Sequence, residues 1–315
     1  MILGEWARWL NGGFIAASTL LFCIACLSVV FLLSQSSLKR CTASFREAFL
    51  WVFIAFPWFA ALAISVLVMS PSFADVKPSW LLNLTHWHHA EVFDFSSWHS
   101  VPLTVAAVFS LWLLVRTLRA ITKHINSLAL FDQWRDEAQQ DDVAATFPAT
   151  AFTYGLLMPR VFISQGLRAQ LTQAEQHVVT SHEQCHVNRR DPLKKLLFSC
   201  FAAAFPQWVG SQLKAEFSLS LEQGADAWAV KTGGDRALVA KTLLKVYRLT
   251  REKPASGYCA FSSSDLKDRV HYLMTPASNR RSHFALAILL FSALFALSLL
   301  GVDSYHHSFE QLFRH

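Results

Sequence analysis

The chain has 315 residues, 53% of them hydrophobic, with a mean hydropathy of +0.31 and a formal net charge of +6. That is more apolar than a soluble domain of this length, and its 26 Phe and 11 Trp suit a bilayer protein. The excess positive charge lies mostly in short loops beside apolar stretches, so it reads as membrane topology rather than nucleic-acid binding.

Four stretches are long and apolar enough to span a bilayer: Gly13–Leu33, Ala48–Met69, Val101–Leu118 and His283–Gly301. Arg116 ends the third early and can snorkel to the interface. The first lacks a basic leader and a small-residue cleavage site, so it is expected to remain as a membrane anchor. Lys39, Arg40 and Arg46 fill the loop after the first span, Arg116, Arg119 and Lys123 follow the third, and Arg280 and Arg281 precede the fourth. Loop 70–100 carries only Lys77, and the tail 302–315 only Arg314. The positive-inside rule then puts both termini outside and the segment 121–281 in the cytoplasm.

The six cysteines form no disulfide framework under this topology. Cys23 and Cys26 lie in a span and read as small packing residues. Cys185 sits at a position facing away from the metal face proposed below.

The external segments hold seven histidines, His86, His88, His89, His99, His306, His307 and His315, together with Glu91, Asp94, Asp303 and Glu310. Two readings stand: a second metal site of imidazole and carboxylate, or a polar interface loop.

Within the cytoplasmic segment, residues 131–142 are polar and read as an exposed connector or solvated helix. Residues 152–164 mix aromatic and β-branched residues with Gly155 and Pro159, which predicts a short hairpin or an edge strand. Val161, Phe162 and Ile163 offer either a strand edge for an extended substrate or an ordinary structural strand.

A capping box, Thr172 with Glu175, starts a helix over about 173–190, and Pro192 is expected to stop it. On that helix His182-Glu183-Gln184-Cys185-His186 reads H-E-x-x-H, of which roughly 0.02 chance matches are expected in this composition. The two imidazoles stand one turn apart on one face, able to bind one zinc ion. Glu183 lies beside the metal, placed to act as general base on a water molecule. His177 and His271 are candidates for stabilising the oxyanion, against structural roles for both.

Asp191-Pro192 can cap a following helix. Leu196–Val209 is apolar but interrupted by Pro206, and it reads as a buried helix or as a re-entrant segment. A third helix, ending near Gly233-Gly234, carries Glu222 and Asp226 one turn apart. Glu222 is the candidate third zinc ligand, and Asp226 the acceptor that fixes a histidine tautomer. An amphipathic helix runs from Asp235 through Thr250, with Leu238, Leu243, Val246 and Tyr247 on its apolar side.

These residues together resemble the membrane-integrated zinc metallopeptidases of the BlaR/MecR type, the antibiotic-sensor transducers. The resemblance rests on Phe152-Thr153-Tyr154-Gly155 with Pro159 and Val161-Phe162-Ile163, and on H-E-x-x-H followed by Arg189-Arg190-Asp191. It rests also on the Glu222/Asp226 pair and on three spans before the catalytic segment and one after. Asp268-Arg269-Val270 is similar to a basic motif late in that domain.

The resemblance implies a mainly α, polytopic membrane protein with an embedded α+β zincin-like (gluzincin) domain on the cytoplasmic side of a bacterial inner membrane. It implies one catalytic zinc held by His182, His186 and Glu222, Glu183 as base, Asp226 behind the ligands, and Arg269 at the substrate. The substrate would be a cytoplasmic protein, a DNA-binding repressor of the BlaI/MecI kind, and a homodimer is a further expected partner state.

Only Val302–His315 follow the last span, so sensing through an extracellular penicillin-binding domain is not expected. Related heat-shock and prenyl-protein membrane peptidases keep a quality-control or maturation role open. A non-catalytic metal-binding receptor is a further alternative, against which the intact Glu183 argues.

Overall fold

The computed structural model describes residues 2–69, 91–95, 100–138, 149–252, 263–275 and 281–313. Helices α1 (Glu5–Leu38) and α2 (Ala43–Met69) pack against each other through Leu27, Phe31, Leu50, Phe53 and Ile54, all buried. Pro57 lies inside α2, as membrane helices tolerate. Both helices overrun their predicted spans, because hydropathy marks the hydrocarbon layer while the helix continues into the interface. Trp6 and Trp9 stay exposed on the extra N-terminal turns of α1.

Strand β1 (Ile2–Leu3) pairs antiparallel with β2 (Val92–Phe93), and Asn11 Nδ2 donates to the Val92 carbonyl at 3.1 Å. The N-terminal residues and residues 91–95 therefore sit at one end of the α1–α2 pair. Helix α3 (Ser100–Ala138) continues well beyond the expected 101–118 and into the polar segment after residue 130. Its apolar residues Val105, Val108, Leu111, Leu114 and Leu118 face outward, as they would toward lipid. Arg116 stacks on Trp112 at 5.0 Å from the ring centre. The histidine-rich loop 70–90 and the side chains of residues 302–315 lie outside the described residues.

Helix α10 (Arg281–Phe313) is also longer than expected and runs on through most of the segment read as a tail. Its apolar stretch, Ala285–Gly301, packs on α2 through Phe291, 5.0 Å from Phe56. Among the described residues, three helices, over Glu5–Gln35, Ala43–Met69 and Ser100–Arg119, are long and apolar enough to cross a membrane.

The hairpin of β3 (Ala151–Tyr154) and β4 (Arg160–Ile163) is antiparallel, with Thr153 opposite Val161. After a single short turn, α4 (Gln165–Arg168), comes α5 (Gln173–Arg189), which carries H-E-x-x-H. Its capping box is present in full: Thr172 Oγ1 accepts from Glu175 N, and Glu175 Oε2 accepts from Thr172 N.

The carboxyl of Glu175 is held below its ordinary range, first by Lys245 at 2.6 Å. Its contribution is therefore present above the unfolded pKa of about 4.3 and lost as pH falls through the lowered folded value. Thr172→Ala should cost about 1 kcal/mol. The stabilising difference between wild type and Glu175→Gln, read from thermal midpoints of solubilised protein, should be full at pH 7 and shrink below about pH 4.

Arg190, at φ 52, ends α5 in the left-handed conformation, and α6 (Asp191–Ala202) starts at once. This corrects two expectations. Pro192 does not terminate α5; it sits in the first turn of α6, where its missing N–H costs no bond. Nor does Asp191 cap α6, because its side chain turns back toward α5.

Helix α6 and α7 (Gln207–Lys231) form a tight hairpin, with Phe198 stacked on Phe217 at 4.0 Å and Trp51 of α2 edge-on to both. A Cβ at Gly210 would stand 2.6 Å from the Ala202 carbonyl, so only glycine allows this approach. The hairpin runs alongside α2, from Lys194 at Glu47 to Phe201 at Trp58, about 16 Å of helix rise. The apolar stretch 196–209 is thus a helix-turn-helix lying against a candidate span, with Phe198, Phe205 and Val209 buried and Leu197, Phe201 and Trp208 exposed.

Helix α8 (Arg236–Glu252) starts with Asp235 Oδ1 accepting from Leu238 N at 2.6 Å, and α9 (Ser263–Met274) closes the domain.

Candidate metal centre

Helix spacing puts His182 and His186 on one face of α5, and α7 crosses that face with Glu222 toward it. The result is three converging acceptors. His182 Nε2 and His186 Nε2 are 3.2 Å apart. Glu222 Oε2 lies 3.3 Å from the first and 3.7 Å from the second. His182 and His186 are buried, and the three ligand-type atoms fall within 4.8 Å of one another.

Each ring has its other nitrogen engaged. His182 Nδ1 is 3.0 Å from Asp226 Oδ1, and His186 Nδ1 is 2.7 Å from Asp191 Oδ2. With the Nδ1 protons donated there, each Nε2 turns a lone pair inward. Three lone pairs this close repel unless they share a cation. A tetrahedral ion with ligands at 2.0–2.1 Å would space its donors by about 3.3 Å, so the residues fit a zinc-type site.

The electrostatics agree. Burial alone would lower the His182 imidazole, but its bonds to Asp226 and Glu222 outweigh that and push it up to about 9. His186 is raised for the same reasons, with Glu222 and Asp191 overcoming burial. Burial would raise Glu222, yet Lys195 and the two histidines hold it well below the ordinary carboxylate range. The pocket is one that favours positive charge.

Behind the centre, Asp226 is fully buried and gripped in bidentate fashion by Arg269, Nε to Oδ2 at 2.8 Å and Nη2 to Oδ1 at 2.6 Å. Arg269 Nη1 also stands 3.4 Å from Glu222 Oε2. The structure thus places Arg269, expected at the substrate, in the wall of the site with carboxylate partners.

Glu183 stands outside the three converging acceptors. Its Oε2 is 2.8 Å from the Thr153 hydroxyl on β3. Beside it opens a cleft lined by Ala151, Val178, Val179, Val239, Leu243, Val246 and Tyr247, with Arg269 also in its wall. Ala151 and Thr153 of β3 reach this site, whereas Val161, Phe162 and Ile163 pair with β3 and do not line the cleft. His177 and His271 are exposed and do not line it either.

Two site residues escaped the sequence reading. Thr153 was visible only as part of Phe152-Thr153-Tyr154-Gly155. Asp191 was visible only as a helix-start signal and as the last residue of Arg189-Arg190-Asp191, five residues after the second histidine.

A family model, Peptidase family M48, matches residues 119–288, more than half of the chain. The chain belongs to peptidase family M48. No curated protein and no solved structure matches it. The membership makes the protein a metallopeptidase and covers α5 and α7, the two helices that carry the converging side chains. It contains nothing particular to the antibiotic-sensor transducers.

Proposed function

We propose that this M48 peptidase is a membrane-anchored zinc endopeptidase of the gluzincin type, acting on polypeptide segments presented near the cytoplasmic face of a bacterial inner membrane. The observation that carries this reading is the convergence of His182 Nε2, His186 Nε2 and Glu222 Oε2, with Glu183 held just outside them by Thr153.

A zinc ion there would supply the Lewis acidity that activates the attacking water and polarises the peptide carbonyl. Glu183 takes the water's proton and delivers it to the leaving amine. Asp226 and Asp191 keep the two imidazoles oriented, and Arg269 compensates the Asp226 charge. The hairpin β3–β4, with Val161, Phe162 and Ile163 on its second strand, offers backbone for an added extended strand. The apolar cleft beside Glu183 suits an apolar substrate side chain next to the scissile bond.

The H-E-x-x-H and Glu222/Asp226 pattern shared with heat-shock and prenyl-protein membrane peptidases favours quality control or maturation of membrane-proximal polypeptides as the role. A second reading, cleavage of a cytoplasmic repressor of the BlaI/MecI kind, is favoured by the order of apolar helices, three before the catalytic segment and one after.

Incubating purified protein with an unfolded polypeptide and with candidate repressors, with and without chelator, separates these. Chelator-sensitive cleavage of the unfolded chain alone supports the first reading. Cleavage of a repressor at one site supports the second. No chelator-sensitive cleavage of any substrate by zinc-loaded protein would remove the enzyme reading.

The sidedness has its own test. With basic loops inside, Trp80→Cys should react with an impermeant thiol reagent in intact cells and Gln140→Cys should not. Labelling of the second from outside would invert the topology.

A further inference from the structure

At the end of the α1–α2 hairpin nearest the catalytic domain, two neighbouring residues of α2 reach toward the metal centre. Arg46, 1% exposed, donates to Gln223 Oε1, next in sequence to Glu222, and stands 3.7 Å from Glu216. Gln223 in turn donates to the Asp268 carbonyl at 3.2 Å, beside Arg269.

Glu47 has the more direct route. Its Oε2 accepts from Arg189 Nη2, and its Oε1 accepts from Lys194 Nζ at 2.9 Å. These two cations flank Asp191, each 3.5 Å from its Oδ1, too long for a full hydrogen bond. Asp191 Oδ1 is buried and has no hydrogen-bond partner, whereas Oδ2 lies 2.7 Å from His186 Nδ1. Glu47 thus draws the two cations partly off Asp191 and leaves that carboxylate to act on the imidazole. Gly224 leaves room for this path: a Cβ there would stand 2.5 Å from Arg189 Nη1, so the guanidinium lies directly over α7 and would have to shift for any larger residue.

We propose that Glu47, on the membrane hairpin, is a positioning residue for the metal centre, acting through Arg189, Lys194 and Asp191 on His186. Its role rests on the metallopeptidase reading above, and it makes metal affinity depend on how α2 sits against α6 and α7. A displacement of the membrane hairpin relative to the domain would release Arg189 and Lys194 onto Asp191 and loosen the His186 ring.

The test measures zinc dissociation constants of the full chain in detergent or nanodiscs, below the thermal midpoint of each variant. Asp191→Asn should weaken zinc by about 10–100-fold, as for other carboxylates behind a ligand histidine. Glu47→Gln should weaken it by about tenfold, one link further away. The double variant should bind no more weakly than Asp191→Asn alone, since both act on one path. A merely structural role for Glu47 would lower the metal-free thermal midpoint without this non-additivity.

Gly224→Ala serves as a second probe, because it displaces Arg189 without removing a charge and places a better helix former in α7. It should also weaken zinc. Wild-type affinity in both Glu47→Gln and Gly224→Ala, with Asp191→Asn weakened, overturns the proposal and leaves the metal centre standing. Failure of wild type itself to bind zinc overturns both.

Discussion

Glu183→Gln will keep the metal and lower the cleavage rate by about 10²–10⁴-fold, the usual contribution of a positioned general base. The three converging acceptors do not include Glu183, so the substitution removes no ligand. Gln has the same length and can still accept from Thr153, so the local packing holds. His186→Ala should do the opposite at the first step: it removes one of three converging atoms, leaves Asp191 without its imidazole partner, and should lose the metal. Elemental analysis beside a cleavage assay checks both. Full metal in His186→Ala, or full activity in Glu183→Gln, would displace the assignment of the site.

The second large effect is on stability. Arg269→Met leaves the Asp226 carboxylate at 0% exposure with only His182 as a partner among the described residues. Breaking a buried pair from one side costs about 3–5 kcal/mol, against a typical total of 5–15. The thermal midpoint should fall steeply, and metal binding should weaken with it, because Arg269 no longer fixes the position of the Asp226 carboxylate behind His182. Arg269→Met with Asp226→Asn should cost less than the two single changes added together, since no unpaired charge is then left. A wild-type midpoint in Arg269→Met would show that the pair does not hold α9 to α7.

The H-E-x-x-H helix, its capping box, the hairpin and the Glu222/Asp226 pair were all readable from the chain because each is a local pattern. Residues one turn apart share a helix face whatever surrounds them. A capping box satisfies donors within four residues. Asp191 was misread for the same reason: as a helix-start residue beside Pro192 it obeys local rules, and only the left-handed Arg190 turns its carboxylate back onto His186. The partners of Thr153, Arg269 and Glu47 carry no local mark, since they lie 30, 43 and 142 residues away.

Hydropathy likewise located the apolar stretches but not the helices that contain them. The bilayer's thickness sets the first, while backbone hydrogen bonding carries α3 and α10 on beyond it. What the chain determined by itself was the chemistry on offer, two histidines and Glu183 at helical spacing and the Glu222/Asp226 pair on a second helix, beside stretches apolar enough to span a membrane. Tertiary structure alone decided how that chemistry is aimed. The partners of the two imidazoles, the guanidinium behind Asp226 and the link from α2 to Asp191 are contacts between segments distant in sequence, and only the packing of α2, α5, α6, α7 and α9 brings those charges within bonding distance.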